Sequence, residues 1–324
     1  MNNDFGDASR SLRGGNMKVL KGYKFRIYPD EQQRRFFIET FGCVRFTYNH
    51  LLIAKQGGNE ETPQTPAALK KEYPFLKETD SLALANAQRN LERAFTNYFT
   101  GRAGYPKLKS KKSQWQSYTT NNQKHTIYFV GNQLKVPKLK TLVNVHRHRE
   151  VKGTIKSATI SAKNGKEFYV SILCSEDIEP LPKTKQEGSV CFCPHHLVGT
   201  TETLPVLDQA ELSKKILKEQ KKLQVRAKVA KKHKVLLKDA KNYQKQKEKV
   251  LKLKDQKQQQ KKDYIDQVSW MLVRKFDALV IEEKQMTVTE DMPFSASDWQ
   301  LFIEKIHYKA QWYGKQIYNA TTLQ

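Results

Sequence analysis

The stretch Asp277 to Met286, Asp-Ala-Leu-Val-Ile-Glu-Glu-Lys-Gln-Met, is the feature that most constrains the fold. Four consecutive apolar residues at 278–281 predict a strand that is buried on both faces, and Glu282 and Glu283 follow at its C-terminal end. Open α/β sheets place their functional sites at this end of their strands. With a second carboxylate from elsewhere in the chain, Glu282 would form half of a divalent-metal site for phosphoryl transfer.

The charge of the chain indicates the class of its partner. Its 324 residues include 58 Lys and Arg against 33 Asp and Glu, a formal net charge of +25. Such an excess predicts a polyanionic partner, of which nucleic acid is the commonest. A membrane surface is the alternative, but no segment approaches the roughly 18 continuous apolar residues of a membrane span. We therefore expect a soluble, cytoplasmic, nucleoid-associated protein that does not bind a membrane.

The cysteines do not indicate a disulfide scaffold, because there are only four and no pair has the Cys-x-x-Cys spacing. Cys191, Cys193, His195 and His196 do lie close together and could bind a metal ion. Cys191 and Cys193 fall on one face of a predicted strand, where free cysteine usually packs as a small hydrophobe. We therefore expect no metal and no other cofactor.

Composition and periodicity predict a multidomain α+β protein. Residues 1–16 are small and polar, as in a disordered leader or an expression remnant. Alternating apolar residues predict the first strand of a β domain at 17–30. A helical domain follows at 31–112, in which we expect Gly42 to break the first helix in two.

The second half of the chain changes character twice. Alternating apolar residues and Asn-Gly turns at 113–182 predict the antiparallel remainder of the β domain. An α/β domain is predicted at 183–324, with a Lys- and Gln-rich helical tract at 209–262. This tract suits a solvated helical hairpin or a surface that lies along a nucleic-acid backbone.

A turn-rich basic loop at 101–112 carries the strongest local signal for nucleic-acid binding. Lysines can neutralise phosphates, the nearby Trp115 and Tyr118 can stack on bases, and the short Thr and Asn side chains at 119–122 can hydrogen-bond to bases or sugars. The alternative is an ordinary solvated loop.

Six segments resemble, in order, the OrfB or TnpB proteins of insertion sequences, which are the ancestors of the type V CRISPR effectors. They are Tyr-Lys-Phe-Arg-Ile-Tyr-Pro at 23–29, Val-Arg-Phe-Thr-Tyr-Asn-His at 44–50, Ala-Gln-Arg-Asn-Leu-Glu-Arg-Ala-Phe at 87–95, Gly-Tyr-Pro-Lys-Leu-Lys-Ser-Lys-Lys at 104–112, Ser-Tyr-Thr-Thr-Asn-Asn at 117–122 and Tyr-Lys-Ala-Gln-Trp-Tyr-Gly-Lys at 308–315.

The resemblance implies a fold and two partners. The fold is a wedge-type β-barrel with an inserted helical recognition domain, followed by an RNase H-like α/β domain of RuvC type. The partners are an omega-RNA-like guide RNA and a double-stranded DNA target beside a short flanking motif. In such systems base pairing reads the target sequence, while the protein reads the backbone, the duplex shape and the flanking motif.

The chain departs from the family at the acidic residues that bind metal. Cys193 stands where the family has its first Asp, and Glu282 matches the second acidic residue. The third, an Asp beyond a zinc ribbon, is not found before Gln324, so we expect a truncated RuvC-type domain without that ribbon. One carboxylate cannot hold two Mg²⁺ ions, and a soft thiolate does not suit Mg²⁺.

These departures resemble the nuclease-dead TnpB-like repressors (TldR) and lead to the expectation that the chain is not an enzyme. The leading hypothesis is an RNA-guided DNA-binding protein that represses transcription by occupying its target. The alternatives are an RNA-guided DNA endonuclease with a rebuilt or residual metal site, and a guide-independent RNA-binding transposon accessory protein. The oligomeric state stays open.

The resemblance and the charge pattern select nine residues for nucleic-acid contact. Thr119 and Thr120 match a family motif near the flanking DNA, and four lysines of the basic loop suit phosphates, namely Lys107, Lys109, Lys111 and Lys112. Arg26, Arg45 and Tyr48 complete the set, although Tyr48 is equally compatible with the protein core. No catalytic residue is assigned, and Cys193 and Glu282 are treated as degenerate positions.

Overall fold

The structure is a computed structural model that describes residues 17–57, 65–200, 202–282 and 292–320. The chain divides into two compact units, Lys18–Asp177 and Ile178–Gln324 with Met1–Met17. The predicted leader at 1–16 and the carboxylate of Glu283 lie outside the described residues. None of the helices in the described ranges combines the length and the apolar composition that crossing a bilayer requires.

The Lys18–Asp177 unit combines a group of helices with an antiparallel sheet. In chain order its elements are β1 (Met17–Tyr28), α1 (Glu31–Gln56), α2 (Pro66–Glu72), a 3₁₀ turn (Pro74–Glu78), α3 (Ser81–Phe99), β2 (Trp115–Asn121), β3 (Tyr128–Val130), β4 (Gln133–Lys135), β5 (Val143–His146), β6 (Thr154–Lys163) and β7 (Glu167–Ile178). The strands form one seven-stranded sheet in the order β2-β6-β7-β1-β5-β4-β3.

The alternation of side chains along the strands explains how this sheet meets the helices. Tyr23, Phe25 and Ile27 of β1 are each buried to 3% exposure or less, and they join the core cluster that includes Phe37 of α1. Successive side chains of a strand point to opposite faces, so the intervening residues form the outer face of the sheet. The buried face of β1 therefore shares its core with the helices, whereas its other face carries Lys24 and Arg26.

The prediction that Gly42 breaks the first helix is wrong, because α1 is continuous from Glu31 to Gln56. A capping box at Asp30 and Gln33 starts the helix, with each backbone amide bonded to the other side chain. A glycine in a helix interior costs only about 1 kcal/mol relative to alanine. Burial of Phe41 and Val44 on either side of Gly42 outweighs that cost.

The second unit contains a smaller mixed sheet and long helices. Its elements are β8 (Glu187–Cys193), β9 (Leu197–Gly199), α4 (Ala210–Lys232), α5 (Lys241–Lys275), β10 (Ala278–Glu282), α6 (Ala296–Tyr313) and β11 (Gln316–Asn319). The strand order is β11-β10-β8-β9, with β10 parallel to both neighbours and β9 antiparallel to β8. The strand predicted at 278–281 is confirmed as β10, with Leu279 and Ile281 in the core.

Asp277, immediately before β10, ties three parts of the second unit together. Its carboxylate accepts hydrogen bonds from the backbone amides of Thr184 and Lys185 and from the ammonium group of Lys315. The turn at Gly314, with φ of +69°, follows α6 and places Lys315 there, where its side chain is only 3% exposed. The Lys315 ammonium and the Thr184 amide hold the pKa of Asp277 well below its usual range. Asp277 is thus a structural residue.

We predict that Asp277→Asn destabilises the chain at neutral pH, because Lys315 loses its buried counter-charge. A carboxyl whose pKa is lowered by folding stabilises the protein above its unfolded pKa, and this stabilisation is lost as the pH falls below that value. The ordinary value for aspartate is 3.8. The difference in unfolding free energy between wild type and variant should therefore shrink between neutral pH and about pH 3.

Urea unfolding at both pH values measures this difference. Asp239→Asn is the matched control, because Asp239 is exposed in the segment between α4 and α5 and should change stability little at either pH. A difference of the same size at both pH values would refute the role of the Asp277 carboxylate.

Candidate nucleic-acid interface

The basic loop at 101–112 is held against α1 by Asn49. The Asn49 side-chain amide donates to the carbonyl of Lys109 at 3.0 Å, and its side-chain oxygen accepts from the backbone amide of Lys109 at 2.8 Å. These two reciprocal hydrogen bonds hold the loop backbone in the same way that paired backbone hydrogen bonds hold two neighbouring β-strands together. The Lys109 ammonium lies 4.1 Å from the ring centroid of Tyr48, and loss of solvent around it lowers the pKa of Lys109.

A second chain of side-chain bonds holds the end of the same loop. Arg45 of α1 donates to the Gln116 side chain at 3.4 Å, and the Gln116 amide donates to the carbonyl of Lys111 at 2.9 Å. The loop is therefore anchored by its backbone to a helix and to a strand, which leaves the side chains of Lys107, Lys111 and Lys112 exposed. The exposed lysines of the loop are Lys107, Lys109, Lys111 and Lys112.

The backbone of the basic loop is already ordered, so the loop can bind anions without a further ordering step. Four ammonium groups on an anchored backbone form a concentration of positive charge that attracts phosphate oxygens. Prior ordering lowers the entropic cost of binding. Asn49 and Gln116 supply this order, and sequence reasoning missed both, although Asn49 lies inside the segment 44–50 that resembles the TnpB family.

The structure corrects two of the predicted contact residues. Tyr48 is 5% exposed and belongs to the core, where burial raises its pKa, and Lys109 covers its ring. Thr120 is 1% exposed, and its hydroxyl donates to the carboxylate of Asp80. Both side chains point toward the helices and not toward solvent. Their roles are therefore packing and hydrogen bonding inside the unit.

Thr119 and Arg26 lie on the outer face of the sheet. The Thr119 hydroxyl is 2.8 Å from the hydroxyl of Thr159 on the neighbouring strand. Arg26 of β1 donates to the Tyr169 hydroxyl at 2.8 Å and to the Glu167 carboxylate at 3.2 Å. The nine predicted residues are therefore distributed over the basic loop, helix α1, the core and the outer sheet face.

Glu282 and Cys193 lie on adjacent parallel strands of the second unit. Glu282 of β10 is in register with Cys191 of β8, and Cys193 lies two residues further along β8. The Cys191 thiol is 3.7 Å from the carbonyl oxygen of Gly199. Glu282 therefore lies beside the strand that carries Cys193.

This donor set does not suit a hard divalent cation. Magnesium prefers carboxylate and water oxygens, whereas Cys191 and Cys193 offer sulfur. Across the ranges that the structure describes, no group of three or more His, Cys, Asp or Glu side chains could hold a metal ion. We therefore derive no catalytic step through a metal from the described residues.

Comparison with known proteins places these features in a family. The family model HTH_OrfB_IS605, a helix-turn-helix domain, matches residues 17–58, which in this chain contain β1 and α1. A putative RNA-guided DNA endonuclease from Streptomyces pristinaespiralis is 26% identical over 321 residues, a match that covers 93% of this chain and 77% of the relative. The putative RNA-guided DNA endonuclease InsQ of Escherichia coli K12 is 25% identical, with coverage of 84% of this chain and 68% of the relative.

A solved structure shares the fold. It is the Cas12f1 chain of a cryo-electron microscopy structure of a Cas12f1–sgRNA–target DNA complex, with a TM-score of 0.52, 11% identity, and coverage of 93% of this chain and 89% of that chain. The mixture of helices and strands in the predicted multidomain α+β fold is thus confirmed. The chain belongs to the TnpB/OrfB family, as its six sequence segments indicated.

The expectation that the chain is not an enzyme is wrong by this comparison and is corrected. Both relatives, which align with most of the chain, are named RNA-guided DNA endonucleases. That expectation depended on two positions, Cys193 and Glu282, and on the carboxylates missing from the family pattern. The similarity to the two relatives extends over most of the chain.

We predict that Asn49→Ala releases the basic loop, because two hydrogen bonds to the Lys109 backbone are lost. Trypsin should then cleave after the loop lysines several-fold faster than in the wild type. The free energy of opening the loop falls by about 1–2 kcal/mol when the two hydrogen bonds are lost. Timed digestion with mass spectrometry of the fragments measures this.

Asn90→Ala provides the control, because Asn90 is exposed on the helix α3 and the substitution makes the same chemical change. Equal cleavage rates in the loop for Asn49→Ala, Asn90→Ala and wild type would refute the anchoring role of Asn49.

Proposed function

We propose that the chain binds a guide RNA and uses it to recognise a matched DNA duplex beside a short flanking motif. The observation that carries this proposal is the anchored basic loop, in which Asn49 and Gln116 display four lysines on a prearranged backbone. Membership of the TnpB/OrfB family supports it, as do relatives named RNA-guided DNA endonucleases. Base pairing supplies sequence specificity in such systems, so the protein needs mainly backbone contacts.

We further propose a division of labour within the chain. The Lys18–Asp177 unit corresponds to the wedge and recognition domains, and its basic loop contacts phosphates next to the target. The second unit corresponds to a RuvC-type domain, in which β10 and β8 are the central strands. Parallel β10 and β8, with Glu282 at the C-terminal end of β10, support that correspondence.

Stable occupation of a promoter by this complex would repress transcription, and we propose this as the consequence of binding. The excess of positive charge favours a long-lived complex with DNA, because each neutralised phosphate releases counterions. We place the protein in the cytoplasm, associated with the nucleoid, where its nucleic-acid partners are.

Cleavage of the matched DNA is a second candidate function. The names of the two relatives favour it, and Glu282 is the described carboxylate that it would use. Both functions require the same recognition step, so one experiment can separate them.

We predict that the purified chain carries small RNA and binds a DNA duplex matched to the variable end of that RNA more tightly than a scrambled duplex. Sequencing of the RNA supplies the target, and electrophoretic mobility shift with and without the guide measures the affinity. Binding that is equal for matched and scrambled duplexes would contradict the proposal. Binding of RNA with no effect on duplex DNA would favour the guide-independent accessory protein.

The same duplexes, incubated with Mg²⁺ or Mn²⁺, test the second candidate. Cleavage of the matched duplex that Glu282→Ala abolishes would establish the endonuclease. Glu282→Gln keeps the size of the side chain and controls for loss of folding, so target binding by this variant should equal that of the wild type.

A further inference from the structure

The outer face of the large sheet is lined by hydroxyl groups in register. Across β2, β6 and β7 the rows are Thr119–Thr159–Ser171 and Ser117–Ser161–Tyr169, followed at the end of the strands by Trp115–Lys163–Glu167. The opposite residues of β2, such as Tyr118 and Thr120, are buried. This face therefore presents hydrogen-bonding groups along three strands and ends in aromatic and charged side chains.

Two aromatic rings and three cations are interleaved at that end. The rings of Trp115 and Tyr169 have centroids 5.8 Å apart. The Lys24 ammonium lies 5.5 Å from the centroid of Trp115 and 4.9 Å from that of Tyr169. The guanidinium carbon of Arg26 lies 4.8 Å from the ring centroid of Tyr169, and the Lys163 ammonium lies 5.8 Å from that of Trp115.

We call this group the sheet-face cluster and define it as Lys24, Arg26, Trp115, Lys163, Glu167 and Tyr169. It contains three cations and one carboxylate, and both Arg26 and Tyr169 bond to that carboxylate. Trp115 remains 44% exposed, and Lys24 is exposed. A large aromatic side chain in water, surrounded by cations, suits a planar ligand that carries negative charge nearby.

We propose that the sheet-face cluster binds an unpaired nucleic-acid strand. Its bases stack on Trp115 and Tyr169, its phosphates meet Lys24 and Lys163, and its sugars and phosphates continue along the hydroxyl rows. Proteins that bind single strands combine aromatic stacking platforms with a positive surface, often on an antiparallel sheet. This inference rests on the proposed function and adds a second contact region to the basic loop.

The cations that now lie over the two rings do not prevent such binding. A cation–ring interaction at an exposed site is weaker than stacking of a base on the same ring. Lys24 and Lys163 have long, flexible side chains, so an arriving base can displace their ammonium groups toward its own phosphates. The two kinds of contact then form together.

Cross-strand packing is the simpler explanation for the two rings, because aromatic pairs also stabilise sheets. Packing alone would explain neither the three cations at the rings nor the hydroxyl rows that lead to them. Binding and packing also predict different results in solution.

The test uses the full chain after high-salt removal of co-purified nucleic acid, with fluorescein-labelled oligoadenylate RNA and the matching oligodeoxyadenylate as probes. Fluorescence anisotropy measures the affinity of each probe. Stacking on one aromatic side chain contributes about tenfold or more, so Trp115→Ala with Tyr169→Ala should lose about a hundredfold for at least one probe. The probe with the larger loss identifies the strand as RNA or DNA, and Trp115→Phe should retain most of the affinity.

Tyr128→Ala is the matched control, because Tyr128 is also 44% exposed and lies on β3 at the other edge of the same sheet. This substitution should leave the affinities for the RNA probe and for the DNA probe unchanged. If the double variant unfolds, ultraviolet cross-linking of the wild type decides instead, and cross-links to the peptides that contain Trp115 or Tyr169 would support the inference.

Wild-type affinity retained by a folded double variant, or cross-links confined to other peptides, would overturn this inference alone. A wild type that binds neither probe and carries no guide RNA would overturn the proposed function as well.

Discussion

An excess of positive charge is the constraint on which the rest of this structure depends. With a net charge of +25, the fold must separate its cations and neutralise those that packing brings together. It does so with a few well-placed carboxylates. Glu219 of α4 is buried and accepts from Gln246 and Lys222 and pairs with Lys249, and the bond from Gln246 and those lysines lower its pKa to about 2. Asp277 does the same for Lys315.

Two further groups of cations lie at the surface of the Lys18–Asp177 unit. In the basic loop the backbone is anchored by Asn49 and Gln116, and on the outer sheet face Lys24 and Arg26 rest on aromatic rings. On the sheet face, Arg26 also pairs with the carboxylate of Glu167.

Much of the fold was predictable from local pattern, because period-2 alternation and apolar runs report burial directly. The strand at 278–281 and the first strand at 17–30 were located in this way. Local propensity wrongly predicts a helix break at Gly42, because it is weaker than the burial of Phe41 and Val44 on either side of it. The sites were less predictable. Whether Thr120 or Thr119 faces solvent depends on which side of β2 the helices cover, and no local pattern shows that.

Most of the site features that the sequence did not predict are contacts between residues far apart in the chain. Asn49 lies 60 residues from Lys109, and Lys24 of β1 meets Tyr169 of β7 only because the strand order places β1 beside β7. The chemistry of the second unit is a different case. Substitution of a thiol at Cys193 pointed away from an enzyme, whereas the relatives as whole proteins are named endonucleases.

The proposed function requires that the guide, through base pairing, selects the DNA sequence. The most direct measurement replaces the variable end of the guide RNA with a new sequence and determines, by mobility shift with the unchanged protein, which duplex is bound. We expect tight binding to move to the duplex matched to the new guide, while the original duplex binds no better than a scrambled one. Continued preference for the original duplex would contradict it.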